Sequence, residues 1–270
     1  MIELILIALF FSFHQIFIKK GMNYSDANYG AFISIFTGAV IFGFLSINRI
    51  YIDARFIFLM IFSGVLHFLF ARTAFYNAVN RIGANAAGSL AATRIFFAVM
   101  IGAFLGEAIG LNVILMALLI FCGIYLMSTP KGVRDFKGIS LGILTGLITA
   151  LSSGIVKEGM KIHGDPIYGS ALGYLGSLLF YPLIFKWEKK GGERFFILAG
   201  IFAGLGHYLR YYSLQKYPVS VVEPFLSTYP LFTLILTLIL FRSIENINRN
   251  IALGCILIFL GIESYFFVWM

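Results

Sequence analysis

Apolar runs of about 20 residues follow one another through almost the whole chain, separated only by short polar links. A helix rises about 1.5 Å per residue, so each run is long enough to cross the hydrocarbon core of a bilayer. Only 12% of the residues are charged, which is about half of the share expected in a soluble domain. The sequence therefore predicts an all-α polytopic membrane protein, and its long solid runs exclude an outer-membrane barrel.

We predict ten transmembrane helices, which span residues 2–18, 28–47, 56–79, 84–105, 109–128, 138–157, 166–186, 195–215, 219–241 and 249–269. The formal net charge is +8, but the basic residues stand singly or in small groups between the spans. Membrane-flanking charges are distributed in this way, so the lipid bilayer is an expected partner and nucleic acid is not. Cys122 and Cys255 lie inside apolar runs, where they are expected to act as small hydrophobic residues rather than as a disulfide.

An internal repeat divides the chain near its midpoint, with 2–128 as the first five-helix repeat, 129–137 as a linker and 138–269 as the second repeat. Three anchors recur in order at offsets of 136 to 138 residues: Ile18–Met22 with Val156–Met160, Ala74–Ala84 with Arg210–Ser220, and Glu107 with Glu245. Because five is an odd number of crossings, the second repeat enters the membrane from the opposite side. Inverted repeats of this kind are typical of secondary transporters, which bind substrate near the midplane between the halves.

The corner that contains Tyr211–Leu214 and Pro218–Ser220, followed by a helix reaching Pro230–Phe232, resembles the drug/metabolite transporter superfamily, in particular its ten-helix EamA-like family. The resemblance extends over both halves. It implies two inverted five-helix repeats, with helices 1, 3, 4, 6, 8 and 9 around a central cavity and helices 5 and 10 at the periphery. The chain departs from the pattern at Arg94, which stands where the second repeat has Pro230.

Polar side chains inside the spans are candidates for a central substrate site, because a charged side chain at the centre of a span costs roughly 2.5–3.5 kcal/mol on insertion scales. The candidates are His14, Gln15, His67, Arg72, Tyr76, Arg94, His207, Arg210, Tyr211, Glu223 and Tyr229.

Arg94 is the most informative candidate, since it lies near the middle of an apolar run and is too deep to reach the membrane surface easily. The sequence allows two interpretations of Arg94: it forms a structural ion pair with Glu223, or it lines a cavity and binds an anion. Glu223 is in turn either an acid near the start of a helix, stabilised by the helix dipole, or a proton carrier or arginine partner.

The two histidines on repeat-related helices, His67 and His207, are either bonded to neighbouring carbonyls or respond to protons in a cavity. Arg72 follows His67 by five residues, which is more than one helical turn. Arginine outnumbers acid in the spans, so the sequence favours a positive cavity and substrates that carry a carboxylate or phosphate.

Glycines recur at four-residue spacing, and we attribute them all to close helix packing: Gly102, Gly106 and Gly110, Gly142 and Gly146, Gly169 and Gly173, Gly200 and Gly204.

The favoured function is a permease or exporter in the plasma membrane that moves small organic metabolites by alternating access, with anionic or amino-acid-like substrates preferred. No P-loop or hydrolase motif is present, so neither ATP hydrolysis nor catalytic residues are expected, and no cofactor or metal is expected either. An intramembrane enzyme and a non-transporting scaffold or receptor are the alternatives. The chain is expected to be a monomer or homodimer.

The membrane orientation has conflicting indications. The links on the side opposite the N-terminus carry more lysine and arginine, which favours both termini outside. The family resemblance instead implies both termini inside.

Overall fold

The computed structural model describes residues 2–128, 135–188, 191–240 and 249–267, and the side chains of Asn85, Ser128, Leu240 and Phe267 lie outside that description. Ten helical segments follow in order: α1 (Ile2–Gly21), α2 (Ala27–Leu45), α3 (Ala54–Ile82), α4a (Ala84–Ala91) with α4b (Arg94–Phe104), α5 (Leu111–Ser128), α6 (Phe136–Ile162), α7 (Pro166–Ile184), α8 (Glu193–Lys216), α9a (Val219–Leu226) with α9b (Tyr229–Leu240), and α10 (Arg249–Phe267).

The lengths and hydropathies of these segments agree with a polytopic membrane protein. Eight of the described helices are long and apolar enough to cross a bilayer. The two others are α5, a slightly shorter apolar helix, and α8, which is long enough at 24 residues but carries His207 and Arg210. The prediction of an all-α membrane protein with ten spans is therefore confirmed.

Four helices begin at an aspartate that caps their first turn. The carboxylates accept hydrogen bonds from backbone N–H groups that have no partner within the helix, and the capping residues are Asp26, Asp53, Asp135 and Asp165. At Asp135, the Gly138 N–H and then the Arg81 guanidinium hold the pKa of the carboxyl below its ordinary value. The caps therefore fix where α2, α3, α6 and α7 enter the membrane.

The helix packing is repeated between the two halves. Helix α1 packs on α8, and its repeat-related pair, α6 and α3, also packs together. The pairs α2–α8 and α7–α3 correspond in the same way, and α2–α7 and α5–α10 each join a helix to its own counterpart. A pseudo-two-fold axis therefore relates the repeats. Since each repeat crosses the membrane five times, the axis lies in the membrane plane.

Helices α4 and α9 are broken at equivalent places. Helix α4 is interrupted at Ala92–Thr93, and α9 is interrupted at Ser227–Thr228. The close approach of α6 to the first break depends on Gly146, where a Cβ would lie 2.8 Å from the backbone nitrogen of Arg94. Both repeats therefore place a break in a helix at the interface between the halves, where transporters bind their substrates.

The spaced glycines pack closely at helix interfaces, with two exceptions. A Cβ at Gly142 would lie 2.6 Å from Leu90 Cβ, and a Cβ at Gly200 would lie 2.9 Å from the Ser34 carbonyl oxygen. The prediction is wrong for Gly110, which is exposed and has no other helix near its Cβ position. It is also wrong for Gly106, which has no atom near its Cβ position and has a φ of +81°. That angle is unfavourable for residues with a side chain, so Gly106 is needed for a turn rather than for packing.

Candidate functional site

A central cavity of about 70 Å³ lies between the two repeats. Its walls come from α1, α3, α4, α6, α8 and α9, the six helices that the family resemblance implies. The lining residues are Phe11, His14, Gln15, His67, Ala71, Arg72, Phe75, Ala91, Arg94, Thr145, Thr149, His207, Arg210, Leu226 and Tyr229. Its volume holds several water molecules. A larger organic molecule therefore requires the walls to move apart.

Arg210 in α8 is fully buried and is the most completely bonded of the three arginines in the cavity wall. Its Nε donates to Glu223 Oε1 at 2.8 Å, and one terminal nitrogen donates to the Thr149 carbonyl at 3.1 Å and to the Ser153 hydroxyl. The other terminal nitrogen lies 3.4 Å from His67 Nδ1. Arg210 therefore ties α3, α6, α8 and α9a together, and its charge is balanced locally by Glu223.

Arg94 is the first residue of α4b and retains unused hydrogen-bonding capacity. Its Nε donates to Ser227 Oγ at 2.8 Å and lies 3.7 Å from Glu223 Oε2, while its guanidinium lies over the Tyr229 ring. Its second terminal nitrogen, Nη2, is buried and has no hydrogen-bond partner among the described residues. The structure thus contains both features foreseen for Arg94, an ion pair with Glu223 and a place in the cavity wall.

Arg72 in α3 is bonded by hydroxyl groups rather than by an acid. Its terminal nitrogens donate to Ser34 Oγ at 2.9 Å and Tyr174 OH at 3.0 Å, and its guanidinium lies 5.2 Å from the centres of the Phe68 and Tyr174 rings. No carboxylate of the described residues forms an ion pair with it. Its charge therefore adds to the positive potential of the cavity.

A π-helical segment, Val65–Ala71, changes how α3 presents its polar residues. The Arg72 N–H bonds to the His67 carbonyl, five residues back. In a regular α-helix, residues five apart point about 140° away from each other. The wider π-helical turn brings them closer to one face, and both line the cavity. The sequence pattern showed only the spacing, because nothing in it marked the π-helical turn.

Three histidines stand close together in the cavity wall. The rings of His67 and His207 are 4.6 Å apart and nearly perpendicular, and His14 Nε2 lies 3.2 Å from Tyr76 OH. His207 Nδ1 is buried without a hydrogen-bond partner among the described residues. Within that part of the chain, no group of three His, Cys, Asp or Glu side chains is arranged to hold a metal ion.

The structure brings eight of the eleven candidate residues to the cavity and places the other three behind its walls. The eight are His14, Gln15, His67, Arg72, Arg94, His207, Arg210 and Tyr229. Tyr76 lies behind His14, and Glu223 lies behind Arg210. Tyr211 faces α7 near Gly169, with its hydroxyl buried and unpaired within the described residues.

Hydroxyl residues of α6 were not foreseen as part of the site. Thr145 and Thr149 line the cavity, and Ser153 donates to Glu223 Oε1 at 2.5 Å. The sequence does contain a signal for them, because the three residues recur every fourth position and so share one helix face.

Glu107 forms a polar contact between the repeats away from the cavity. Its carboxylate, in the link after α4b, accepts hydrogen bonds from the Val219 and Ser220 N–H groups of α9a at 2.6 and 3.0 Å. Lys157 lies 3.8 Å away and donates to the Tyr217 carbonyl at the end of α8. An acid near a helix N-terminus and a cation near a helix C-terminus are both favourable. The two side chains therefore stabilise the α8–α9 corner from opposite ends.

Two inverted repeats of five helices around a central cavity with charged walls define a membrane transporter of small molecules. The chain belongs to the EamA-like transporter family, whose model matches residues 1–129 and 136–266. The match falls on both halves, as the internal repeat requires.

Comparison with other proteins extends the evidence for the fold. A solved structure described as "Crystal structure of protein" superposes with a TM-score of 0.79, covering 98% of this chain and 96% of the other at 14% identity. At that identity the likeness concerns the fold alone. No curated protein sequence matches the chain.

Proposed function

We propose that the chain is a secondary transporter that moves small organic carboxylates or amino-acid-like molecules across the plasma membrane by alternating access of its two repeats. The observation that carries the proposal is the buried, unpaired Nη2 of Arg94, a residue that lines the cavity between the repeats and lies beside a break in α4. An arginine fork suits a carboxylate, because its parallel N–H groups match the two oxygens.

The other charges of the site support an anionic group at this position. Arg72 and Arg210 also line the cavity, and Glu223 balances one positive charge among the three. Helix α4b begins at Arg94, so the positive end of its dipole faces the same region. A substrate carboxylate would neutralise part of this excess.

Counterflow in proteoliposomes tests the proposal with a panel of labelled monocarboxylates and amino acids. We expect at least one carboxylate to exchange. Arg94→Gln should raise the half-saturation concentration of that carboxylate at least about ten-fold, as expected for the loss of a hydrogen bond to a charged group. Arg94→Lys keeps the charge without the fork and should recover only part of the affinity.

Arg49→Gln is the matched control, since Arg49 pairs with Asp165 at the protein surface, away from the cavity. Unchanged affinity in Arg94→Gln would overturn the proposed site. Chemical conversion of the substrate would favour an intramembrane enzyme, and absence of flux across the whole panel would favour a scaffold or receptor.

A further inference from the structure

We infer that the cavity selects carboxylic acids that lack a positive amine and discriminates against zwitterionic amino acids. The inference rests on the proposed function and narrows its substrate class. Three arginines line the cavity, and no aspartate or glutamate does so among the residues that the structure describes. A bound amino acid would therefore find cations for its carboxylate but no acid for its ammonium group.

Glu223 is the acid nearest to the cavity, and its position prevents it from serving an ammonium group. Its side chain is fully buried. One oxygen already accepts from Arg210 and Ser153. The other has no hydrogen-bond partner among the described residues, but it is buried and faces the Arg94 guanidinium at 3.7 Å. An ammonium group would have to displace a guanidinium to reach it, and would then lie among like charges.

The neutral acceptors around the cavity are few. The Gln15 side-chain oxygen already accepts from Thr233 at 3.2 Å. The Thr145 hydroxyl donates to the Leu141 carbonyl at 2.7 Å, and its oxygen keeps lone pairs that can accept from a ligand. His67 Nδ1 and the Thr149 carbonyl both face Arg210. The buried His207 Nδ1 remains, and a neutral imidazole presents either one donor or one acceptor at that atom. An ammonium group needs several acceptors, whereas a keto oxygen is satisfied by one donor.

The remaining residues of the cavity wall favour a ligand with an apolar carbon chain. The lining residues without polar side-chain atoms are Phe11, Ala71, Phe75, Ala91 and Leu226. Burying aliphatic groups of the ligand against these side chains is favourable, because it removes apolar surface from water. The chemistry of the cavity thus fits an aliphatic acid with its carboxylate at Arg94 and its carbon chain against these residues.

A matched pair of ligands tests the inference on the full-length purified protein. 4-Methyl-2-oxopentanoate and L-leucine share a carbon skeleton and a carboxylate and differ only in the group at C2. Isothermal titration calorimetry should show the oxo acid binding at least about ten-fold more tightly than leucine, with the uncharged 4-methylpentanamide weaker than both. Competition by each compound in the counterflow assay should give the same order.

Variants separate this inference from the proposed function. Arg94→Gln should lower the affinity for the oxo acid at least about ten-fold, whereas Arg49→Gln should leave it unchanged. Equal or tighter binding of leucine would overturn the inference, and if that binding still depended on Arg94 the proposed function would stand. Binding of neither compound would overturn the inference as well, because it requires the oxo acid to bind.

Discussion

Arg210 and Arg94 share one acid, Glu223, and this sharing determines what each arginine can do. Arg210 forms the shorter contact, at 2.8 Å, and its remaining nitrogens reach Thr149, Ser153 and His67. Arg94 has the longer contact, at 3.7 Å, and keeps an unpaired nitrogen. Two arginines that look alike in the sequence therefore differ: Arg210 joins four helices, whereas Arg94 keeps the unpaired nitrogen on which the proposed substrate site rests.

Arg210→Gln should lower the free energy of unfolding by about 3 kcal/mol, because it leaves the fully buried Glu223 charge with the Ser153 hydroxyl and a guanidinium 3.7 Å away as its remaining contacts. The double variant Arg210→Gln/Glu223→Gln should recover part of the loss, since it removes the uncompensated charge. Unfolding in mixed micelles by titration with a denaturing detergent measures both.

The matched control is Arg81→Gln, which removes an arginine from the half-exposed pair with Asp135. Exposed pairs contribute little, so this change should have a much smaller effect. A loss in Arg210→Gln no greater than that in Arg81→Gln would contradict the structural role assigned to Arg210.

At the scale of helices, close packing between α3 and α7 surrounds the π-helical segment. Gly64, immediately before that segment, faces Gly173 on α7 with nothing between their backbones. Phe68, within the segment, stacks on Tyr174 with ring centres 3.9 Å apart. Tyr174 in turn bonds Arg72. The glycine contact therefore sets the distance at which α7 supports an arginine of the cavity.

Gly64→Ala should destabilise the protein by about 1–3 kcal/mol, because the new Cβ would lie 2.2 Å from the Gly173 Cα, and backbone cannot move aside as a side chain can. Gly43→Ala is the same substitution in α2, where the nearest atom is 3.9 Å away. It should be neutral or slightly stabilising through helix propensity. Thermal unfolding of both variants by circular dichroism compares them, and equal melting temperatures would refute the packing argument.

For the molecule as a whole, the two repeat-related corners are in different environments. All eight residues of α9a are buried, and Glu107 caps its N-terminus from the other repeat. Its counterpart α4a begins after Gly83, which is exposed and provides no side-chain cap. The pseudo-two-fold symmetry is therefore broken at the corners, where one repeat has a buried corner and the other an exposed one. In transporters that work by alternating access, the two repeats exchange such environments between the two access states.

Thiol labelling measures this asymmetry in a background without native cysteines. Val219→Cys should resist a membrane-impermeant maleimide, because Val219 is fully buried, whereas Ala84→Cys should react. Under counterflow with a transported carboxylate, labelling of Val219→Cys should rise, since the opposite access state requires the Glu107 contacts to open. Labelling of Val219→Cys that does not respond to substrate would contradict alternating access at this corner.

The sequence by itself determined the class of fold and most of the polar residues of the cavity. Long apolar runs can satisfy their backbone groups in lipid only as helices, and a charged residue within such a run can be tolerated only inside the bundle. The repeat also follows from the sequence, because both copies keep the same anchors at nearly constant offset. These features are local or periodic, so they can be predicted before the packing of the helices is known.

Only the tertiary structure decided which partner each polar group has. It assigned Glu223 to Arg210 and Arg94 together, although Arg94 is 129 residues away from it along the chain, since 223 − 94 = 129. It also placed Glu107 on the N-terminus of α9a and turned His67 and Arg72 toward one cavity through a π-helical segment. Such pairings depend on how helices from different repeats pack, and hydrophobic periodicity within one helix carries no information about them. The breaks in α4 and α9 depend on both the sequence and the tertiary structure. The sequence identifies polar residues near the breaks, and the packing of the helices sets their geometry.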